Sequence, residues 1–333
     1  MKDRWDMELP SLVVFLSGLV VIVVGAELLL RGASRTAAQL GVRPMVIGLT
    51  VVSVATSLPE LAVGIVATKE GSGSLAIGNI AGTNIFNILF ILGLSAAIRP
   101  LPLKHMSLRL DVPVMIAAAV AIVVMSLDGE LGRIDGILLV MAAVVYYIAI
   151  VRLSRRERAK MRKEYAEEYS ESVLLGRKNF WSFMGSILFL LVGIALTIFG
   201  ADLMVSGAVD IARLLGVSDA IIGLTIVAIG TSAPELATTM VATIKDDRDV
   251  AVGNLVGSSI SNILLILGVV CVVAPQGLEV SRDILMIDLP LAAAVAIACY
   301  PVFRSGQRVS RTEGIVFLSL YILYTCVLIF IRA

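Results

Sequence analysis

The sequence predicts an all-α membrane protein in which ten transmembrane helices form two five-helix repeats of inverted topology. Three observations lead to this fold: the composition, the number of long apolar runs and an internal duplication. Of the 333 residues, 58% are hydrophobic and only 16% are charged, and the mean hydropathy is +0.97. Since soluble globular domains have about 25% charged residues, this composition indicates a chain that lies in the lipid bilayer.

Ten apolar runs are long enough to cross about 30 Å of hydrocarbon. The second, third, seventh and eighth runs are rich in Gly, Ser, Thr and Asn. This composition is typical of helices that pack closely inside a bundle, so we expect these four helices to form the core. The runs cover residues 11–31, 43–68, 73–98, 110–127, 134–151, 182–206, 218–244, 249–274, 284–303 and 312–331.

One segment of the chain occurs twice, at an offset of 175 residues. The first copy begins at Gly48 and reads GLTVVSVATSLPELAVGIVAT, and the second begins at Gly223 and reads GLTIVAIGTSAPELATTMVAT. From Gly48 to Gly93, 24 of 46 positions are identical to the aligned positions of the second copy, without a gap. Each copy lies in a half of five helices. An odd number of helices forces the two halves into opposite orientations, as in many secondary transporters.

The basic residues predict how the chain is oriented. If the N-terminus is outside, inner loops and helix ends hold 20 of the 27 Lys and Arg residues, as the positive-inside rule requires. We therefore expect both termini to be extracellular in a multi-pass protein of the cytoplasmic membrane. Residues 1–151 then form the first repeat and residues 182–333 the second. Between them, residues 152–181 form a basic cytoplasmic linker, interpreted as solvated and partly helical rather than lipid-sensing.

Several function classes are disfavoured by the composition. A net charge of +1 argues against a nucleic-acid partner, and a single histidine, His105, excludes a His-rich zinc site. The cysteines Cys271, Cys299 and Cys326 lie far apart in apolar stretches, so we interpret them as packing residues. We expect no cofactor and no enzyme activity, and no obligatory protein partner is evident.

The duplicated segments each carry one acid, Glu60 or Glu235, inside an apolar run. A carboxylate at the centre of a membrane span costs about 2.5 to 3.5 kcal/mol, so an acid at both equivalent positions indicates a function. Pro59 and Pro234 lack an N–H group and should break the helix just before each acid. Such a break frees backbone carbonyls, which commonly coordinate ions at this depth.

An all-oxygen cation site is the chemistry that these segments predict. Hydroxyl and carboxylate groups share one face within each duplicated helix, and the following helix adds a hydroxyl and an amide four residues apart. Hard cations such as Ca²⁺ and Na⁺ prefer these ligands, and two carboxylates neutralise one Ca²⁺ or two Na⁺. The candidate ligands are Glu60, Thr56, Ser57, Thr83 and Asn87 from one half, Glu235, Thr231, Ser232, Ser258 and Asn262 from the other, and backbone carbonyls around Ser53 to Thr56 and Ala228 to Thr231.

Two further pairs of acids are duplicated. Glu27 and Asp202 have no hydroxyl neighbours, so we expect each to be a structural or gating partner of a backbone group. Asp111 and Asp288 precede Val-Pro and Leu-Pro at helix beginnings, where a carboxylate caps free amides, so we expect both to be N-caps.

The paired blocks carry a resemblance to a known family. Ala-Thr-Ser-x-Pro-Glu or Gly-Thr-Ser-x-Pro-Glu, followed by Gly-Asn-x-x-Gly-[Ser/Thr], resembles the α-repeats of the cation/Ca²⁺ exchanger superfamily, and most closely its prokaryotic Na⁺/Ca²⁺ exchangers. The resemblance implies ten helices and antiport of Na⁺ against Ca²⁺, with a stoichiometry of three to one. It also implies that the side chains named above bind the transported ions, and that the carbonyl ligands are those of Ser53 and Ala228.

Alternatives to Na⁺/Ca²⁺ exchange remain open at this point. A K⁺-coupled exchanger is associated in this superfamily with an acid at the position of Asn262, and the H⁺-coupled branch typically has an acid shortly after Gly-Asn, where this chain has none. An intramembrane hydrolase would use two buried acids to activate water. A passive channel is a third possibility. We expect secondary active antiport across the cytoplasmic membrane by alternating access.

Overall fold

The computed structural model describes residues 2–40, 42, 44–102, 107–168, 180–215 and 228–332, and nearly all of these residues are helical. Within these ranges, nine helices are long and apolar enough to cross a membrane. We number the helices in chain order and include a tenth, shorter one, α7. They are α1 Lys2–Leu40, α2 Pro44–Lys69, α3 Gly73–Ile98, α4 Arg109–Asp128, α5 Arg133–Glu168, α6 Phe180–Leu214, α7 Ala233–Ile244, α8 Arg248–Val273, α9 Ile284–Arg304 and α10 Arg311–Arg332.

The seventh predicted span, 218–244, lies partly outside the described residues. Its described part consists of a short helical segment, Ala228–Thr231, and the 12-residue helix α7. The predicted linker, residues 152–181, is also described in part, since α5 continues as a helix to Glu168. The prediction that this linker is partly helical is therefore confirmed for its first half.

The core prediction is confirmed. In their most apolar windows, α2, α3 and α8 are 56%, 72% and 78% buried, whereas α1, α5 and α6 are each 28% buried. The shorter α7 buries seven of its 12 residues. The polar helices of the duplicated segments thus lie inside the bundle, and the uniformly apolar helices face outward, where exposed side chains such as Val13 and Leu188 suit lipid.

Helices α1 and α6 pack against each other along most of their length through glycines. A Cβ at Gly25 would lie 2.7 Å from the hydroxyl oxygen of Thr197, and a Cβ at Gly207 would lie 2.8 Å from the Cα of Phe15. Only glycine permits this backbone approach. The two helices therefore form a closely packed pair on the outside of the core.

Short antiparallel ladders join loops from the two halves of the chain. Strand β1, Leu101–Pro102, pairs with β4, Arg308–Val309, while β2, Glu130–Leu131, pairs with β3, Leu278–Glu279. Strand β1 precedes α4 and β2 follows it, so the two ladders lie at opposite ends of that helix. Each end of the bundle is thus tied by one loop from each half.

Two expectations about acids outside the site are wrong. Asp111 is the last residue of the π-helical turn Ser107–Asp111, which overlaps the start of α4; its φ and ψ of −70° and −47° are helical, and it makes no side-chain cap. Asp288 ends the π-helical turn at the start of α9 in the same way, with φ −71° and ψ −45° and no side-chain cap. Because an N-cap needs an extended backbone, neither residue caps; the Tyr146 hydroxyl instead donates to Asp111 Oδ1 at 3.2 Å. Glu27 pairs with the side chains of Arg31 and Lys245 rather than with a backbone group.

Candidate cation site

Both duplicated helices break where the prolines predict. Ser57 leaves helical geometry with φ −85° and ψ 7°, and Ser232 does so with φ −90° and ψ 7°. New helices begin immediately afterwards, and Glu60 and Glu235 lie in their first turns. Each carboxylate is therefore at a helix N-terminus inside the bundle, where the helix dipole stabilises negative charge.

The two acids meet the opposite half of the chain. The Ser57 hydroxyl donates to Glu235 Oε1 at 3.3 Å, and the Ser232 hydroxyl donates to Glu60 Oε1 at 3.5 Å. Both glutamates and both serines are fully buried. Since each serine lies at the helix break of its own half, the contacts are reciprocal and bring the two breaks together around both carboxylates.

Helices α3 and α8 close the site from the other sides. The Ser232 hydroxyl lies 3.4 Å from Thr83 Oγ1, and the Thr56 hydroxyl lies 3.4 Å from Ser258 Oγ. The Thr231 side chain also lies close enough to the Glu60 carboxylate to interact with it. The structure thus brings together the predicted hydroxyl ligands of both halves.

The site contains buried oxygens without a hydrogen-bond donor among the described residues. These atoms come from both glutamates and from the predicted amide ligands Asn87 and Asn262. Asn87 is the second residue of a π-helical turn in α3, and Asn262 is the first residue of one in α8. π-Helical turns are frequent at functional sites. Burying a carboxylate or amide oxygen without a partner is costly, and a bound cation removes that cost. The four oxygens are Glu60 Oε2, Glu235 Oε2, Asn87 Oδ1 and Asn262 Oδ1.

The two predicted carbonyl ligands stand apart from the rest of the set. The Ser53 carbonyl accepts hydrogen bonds from the Ser57 N–H at 3.1 Å and from the Thr56 hydroxyl at 3.2 Å. The helix break is expected to leave this carbonyl free, but it has two donors. Ala228 begins the short helical segment Ala228–Thr231, and its side chain lies outside the described residues.

Three polar residues beside the site are missed by the sequence reasoning. The Asn254 amide donates to Thr239 Oγ1 at 3.1 Å, and Asn254 Oδ1 lies 3.3 Å from the Thr56 hydroxyl, as an acceptor alternative to the Ser53 carbonyl. Asn84 accepts from Asn262 Nδ2 at 3.4 Å. Asn254 and its aligned residue Asn79 belong to the repeated Gly-Asn motif, and this repetition could have identified Asn254 from the sequence. Asn84 is aligned with a serine, Ser259, so no duplicated amide points to it.

Comparisons with known proteins identify the family of the chain. The model of the sodium/calcium exchanger protein family matches residues 10–152 and 185–330. Putative antiporter CaxA of Alkalimonas amylolytica is 33% identical over 320 residues, which cover 95% of this chain and 98% of that protein. Sodium/calcium exchanger MaX1 of Methanosarcina acetivorans is 31% identical over 348 residues, which cover 96% and 99% of the two chains.

A solved structure shares the membrane fold. The sodium-calcium exchanger NCX_Mj, soaked with 10 mM Na⁺ and zero Ca²⁺, matches with a TM-score of 0.80 and 29% identity, over 95% of this chain and 98% of that one. The family model spans most of the chain, and full-length relatives exceed 30% identity. The chain therefore belongs to the sodium/calcium exchanger protein family, as a helical membrane transporter.

Proposed function

We propose that this protein exchanges Na⁺ for Ca²⁺ across the cytoplasmic membrane of a prokaryote by alternating access. The observation that carries the proposal is the reciprocal contact between the helix breaks, in which Ser57 reaches Glu235 and Ser232 reaches Glu60. Two carboxylates at one buried site carry a charge of −2 when both are ionised. That charge balances one Ca²⁺ or two Na⁺, so the two ions compete for the same pair of acids.

The ligand set matches Ca²⁺ in number and in kind. Ca²⁺ takes 6 to 8 oxygen ligands from carboxylates, carbonyls, amides and hydroxyls. Hydroxyl and amide oxygens surround the two carboxylates. Two carboxylate oxygens and two amide oxygens of the site have no donor among the described residues. We propose that the side chains of Glu60, Glu235, Thr56, Ser57, Thr83, Asn87, Thr231, Ser232, Ser258 and Asn262 bind the transported ions, with the carbonyls of Ser53 and Ala228.

Alternating access requires a site that opens to each side in turn, and an inverted repeat supplies two related gates. We propose ten transmembrane helices, with repeats 1–151 and 182–333 in opposite orientations around linker 152–181, and both termini outside. Two features support this topology. The offset of 175 residues relates the two helix breaks, and the two β-ladders each join one loop from either half at opposite ends of α4.

The stoichiometry determines whether exchange moves charge. If three Na⁺ enter for each Ca²⁺ that leaves, one net positive charge moves inward per cycle. A membrane potential of 100 mV then adds about 2.3 kcal/mol to the driving force. We therefore propose that exchange is electrogenic.

Reconstitution into proteoliposomes tests the proposed function. An outward Na⁺ gradient should drive ⁴⁵Ca²⁺ uptake without K⁺ or a pH gradient, and a valinomycin-imposed negative interior should slow that uptake, because net charge leaves with Na⁺. Uptake that needs a proton gradient or K⁺ would favour the H⁺- or K⁺-coupled alternative. A rate that is independent of voltage would contradict the stoichiometry of three to one.

A further inference from the structure

A row of three hydroxyl groups connects α5 to the candidate site. The Tyr147 hydroxyl lies 2.7 Å from Ser261 Oγ, and Ser261 Oγ lies 3.3 Å from Ser53 Oγ. Ser53 and Ser261 are fully buried, and Tyr147 is half-buried against the core. We call these three residues the hydroxyl row. None of their side-chain hydroxyls belongs to the proposed ligand set.

The three hydroxyl groups of the hydroxyl row donate their hydrogen bonds in the same direction, from Tyr147 towards Ser53. The Ser53 hydroxyl donates to the Leu49 carbonyl at 2.9 Å, so its oxygen is left to accept from Ser261. Ser261 in turn accepts from Tyr147. Each hydroxyl then donates once, and both serines also accept once. A buried network that is satisfied in this way holds its side chains in single orientations.

Two proposed ligands are attached to the end of the hydroxyl row. The Ser53 carbonyl accepts the Thr56 hydroxyl at 3.2 Å, and Ser261 directly precedes Asn262 at the start of the π-helical turn of α8. The row therefore joins one ligand on α2 and one on α8 to a third helix, α5.

The other half of the molecule replaces the hydroxyl row with an aromatic cluster. Ser53 aligns with Ala228 and Ser261 aligns with Phe86, both at the offset of 175. Phe86 stacks on Phe90 with ring centroids 4.8 Å apart, and it packs against Tyr321 at 5.3 Å. Aromatic packing therefore occupies, in the other half, the position that the hydroxyl row occupies in this one. The fold can thus be built without hydroxyls at this position.

We propose that Tyr147 is a positioning residue for cation binding. Through Ser261 and Ser53 it holds Thr56 and Asn262 in the orientation that the ion requires, without touching the ion itself. The inference rests on the proposed Na⁺/Ca²⁺ exchange, and it adds a residue outside the four helices of the site.

The test measures Na⁺-dependent ⁴⁵Ca²⁺ exchange by Tyr147→Phe in proteoliposomes. Loss of one hydrogen bond in the row should raise the apparent KM for Ca²⁺ about three- to tenfold and leave the maximal rate close to that of the wild type. Ser261→Ala should give a similar rise, and the double variant should be no worse than either single variant, since all three remove the same connection. The matched control is Tyr321→Phe, which removes a tyrosine hydroxyl from the aromatic cluster and should leave this KM unchanged.

Two results would overturn the inference. One is a wild-type KM for Ca²⁺ in both Tyr147→Phe and Ser261→Ala. The other is an equal loss of maximal rate in Tyr147→Phe and Tyr321→Phe at unchanged KM, which would indicate packing alone. The wild-type protein is measured first, so absence of exchange there would contradict the proposed function itself, whereas exchange with unaffected variants would contradict only the role of Tyr147.

Discussion

The helical turn after Glu235 differs from the turn after Glu60, although the breaks before them are nearly identical. In α7 the fourth residue beyond the acid is Thr239, which bonds to the fully buried Asn254 at 3.1 Å. The aligned residue in α2 is Gly64, where a Cβ would lie 2.7 Å from Val270 Cγ2. The two halves thus supply equivalent ligands, but hydrogen bonds support one wall of the site and apolar packing supports the other.

The two glutamates, which both halves have in common, predict the largest effect. Glu60→Gln and Glu235→Gln each remove one of the two charges at the site, so each should lower Na⁺-dependent ⁴⁵Ca²⁺ exchange by at least about a hundredfold, given the cost of an unbalanced buried charge. Exchange in proteoliposomes measures both variants side by side. A severe loss in one variant with near-normal exchange in the other would show that the acids are not equivalent.

The hydrogen bonds that differ between the halves predict an intermediate effect when the asparagines of the two Gly-Asn motifs are replaced. Asn254→Ala leaves the buried hydroxyls of Thr56 and Thr239 with one partner fewer, which should cost about 1 to 3 kcal/mol and slow exchange. Asn79→Ala is the control: Asn79 Nδ2 has no partner among the described residues, so its loss breaks no hydrogen bond there and should cost clearly less than Asn254→Ala. Thermal unfolding in detergent measures both. Equal destabilisation would contradict the asymmetry.

A smaller effect is expected from removing only the hydroxyl of Thr239. Thr239→Val keeps the shape of the side chain but leaves the Asn254 amide without this acceptor, at a cost of about 1 kcal/mol. Thr243→Val, one turn later, removes a hydroxyl whose only partner in the described part of the chain is Thr239 O of its own helix, 2.8 Å away, and should be nearly neutral. If the two variants unfold at the same temperature, the Asn254–Thr239 bond does not support the site.

Most of the fold follows from hydrophobicity and duplication. Apolar length locates the spans, and the polar composition of α2, α3 and α8 predicts that they are buried. The Pro-Glu pairs predict where α2 and α7 break. Helix beginnings are predicted less well, because π-helical turns place Asp111 and Asp288 inside continuous helical backbone, where neither residue is an N-cap. Such turns depend on tertiary packing and leave no local signal in the sequence.

The ligands of the candidate site are predictable because each has a duplicated partner. Residues that support them are not, since Thr239, Ser261 and Asn84 have no chemical equivalent at the aligned positions. A lone serine or threonine in a spanning helix usually bonds its own backbone, so only the packing of α5 and α8 against α2 reveals which hydroxyls connect helices. Duplication identifies the shared chemistry of the halves and conceals their differences.

The central claim is that Glu60 and Glu235 share one cation, and isothermal titration of purified protein with Ca²⁺ tests it most directly. The wild-type protein should bind one Ca²⁺ per chain in a titration that added Na⁺ suppresses, and neither Glu60→Gln nor Glu235→Gln should bind Ca²⁺ in the same concentration range. Two Ca²⁺ per wild-type chain, with one retained at wild-type affinity in each variant, would show that the two carboxylates bind separate ions.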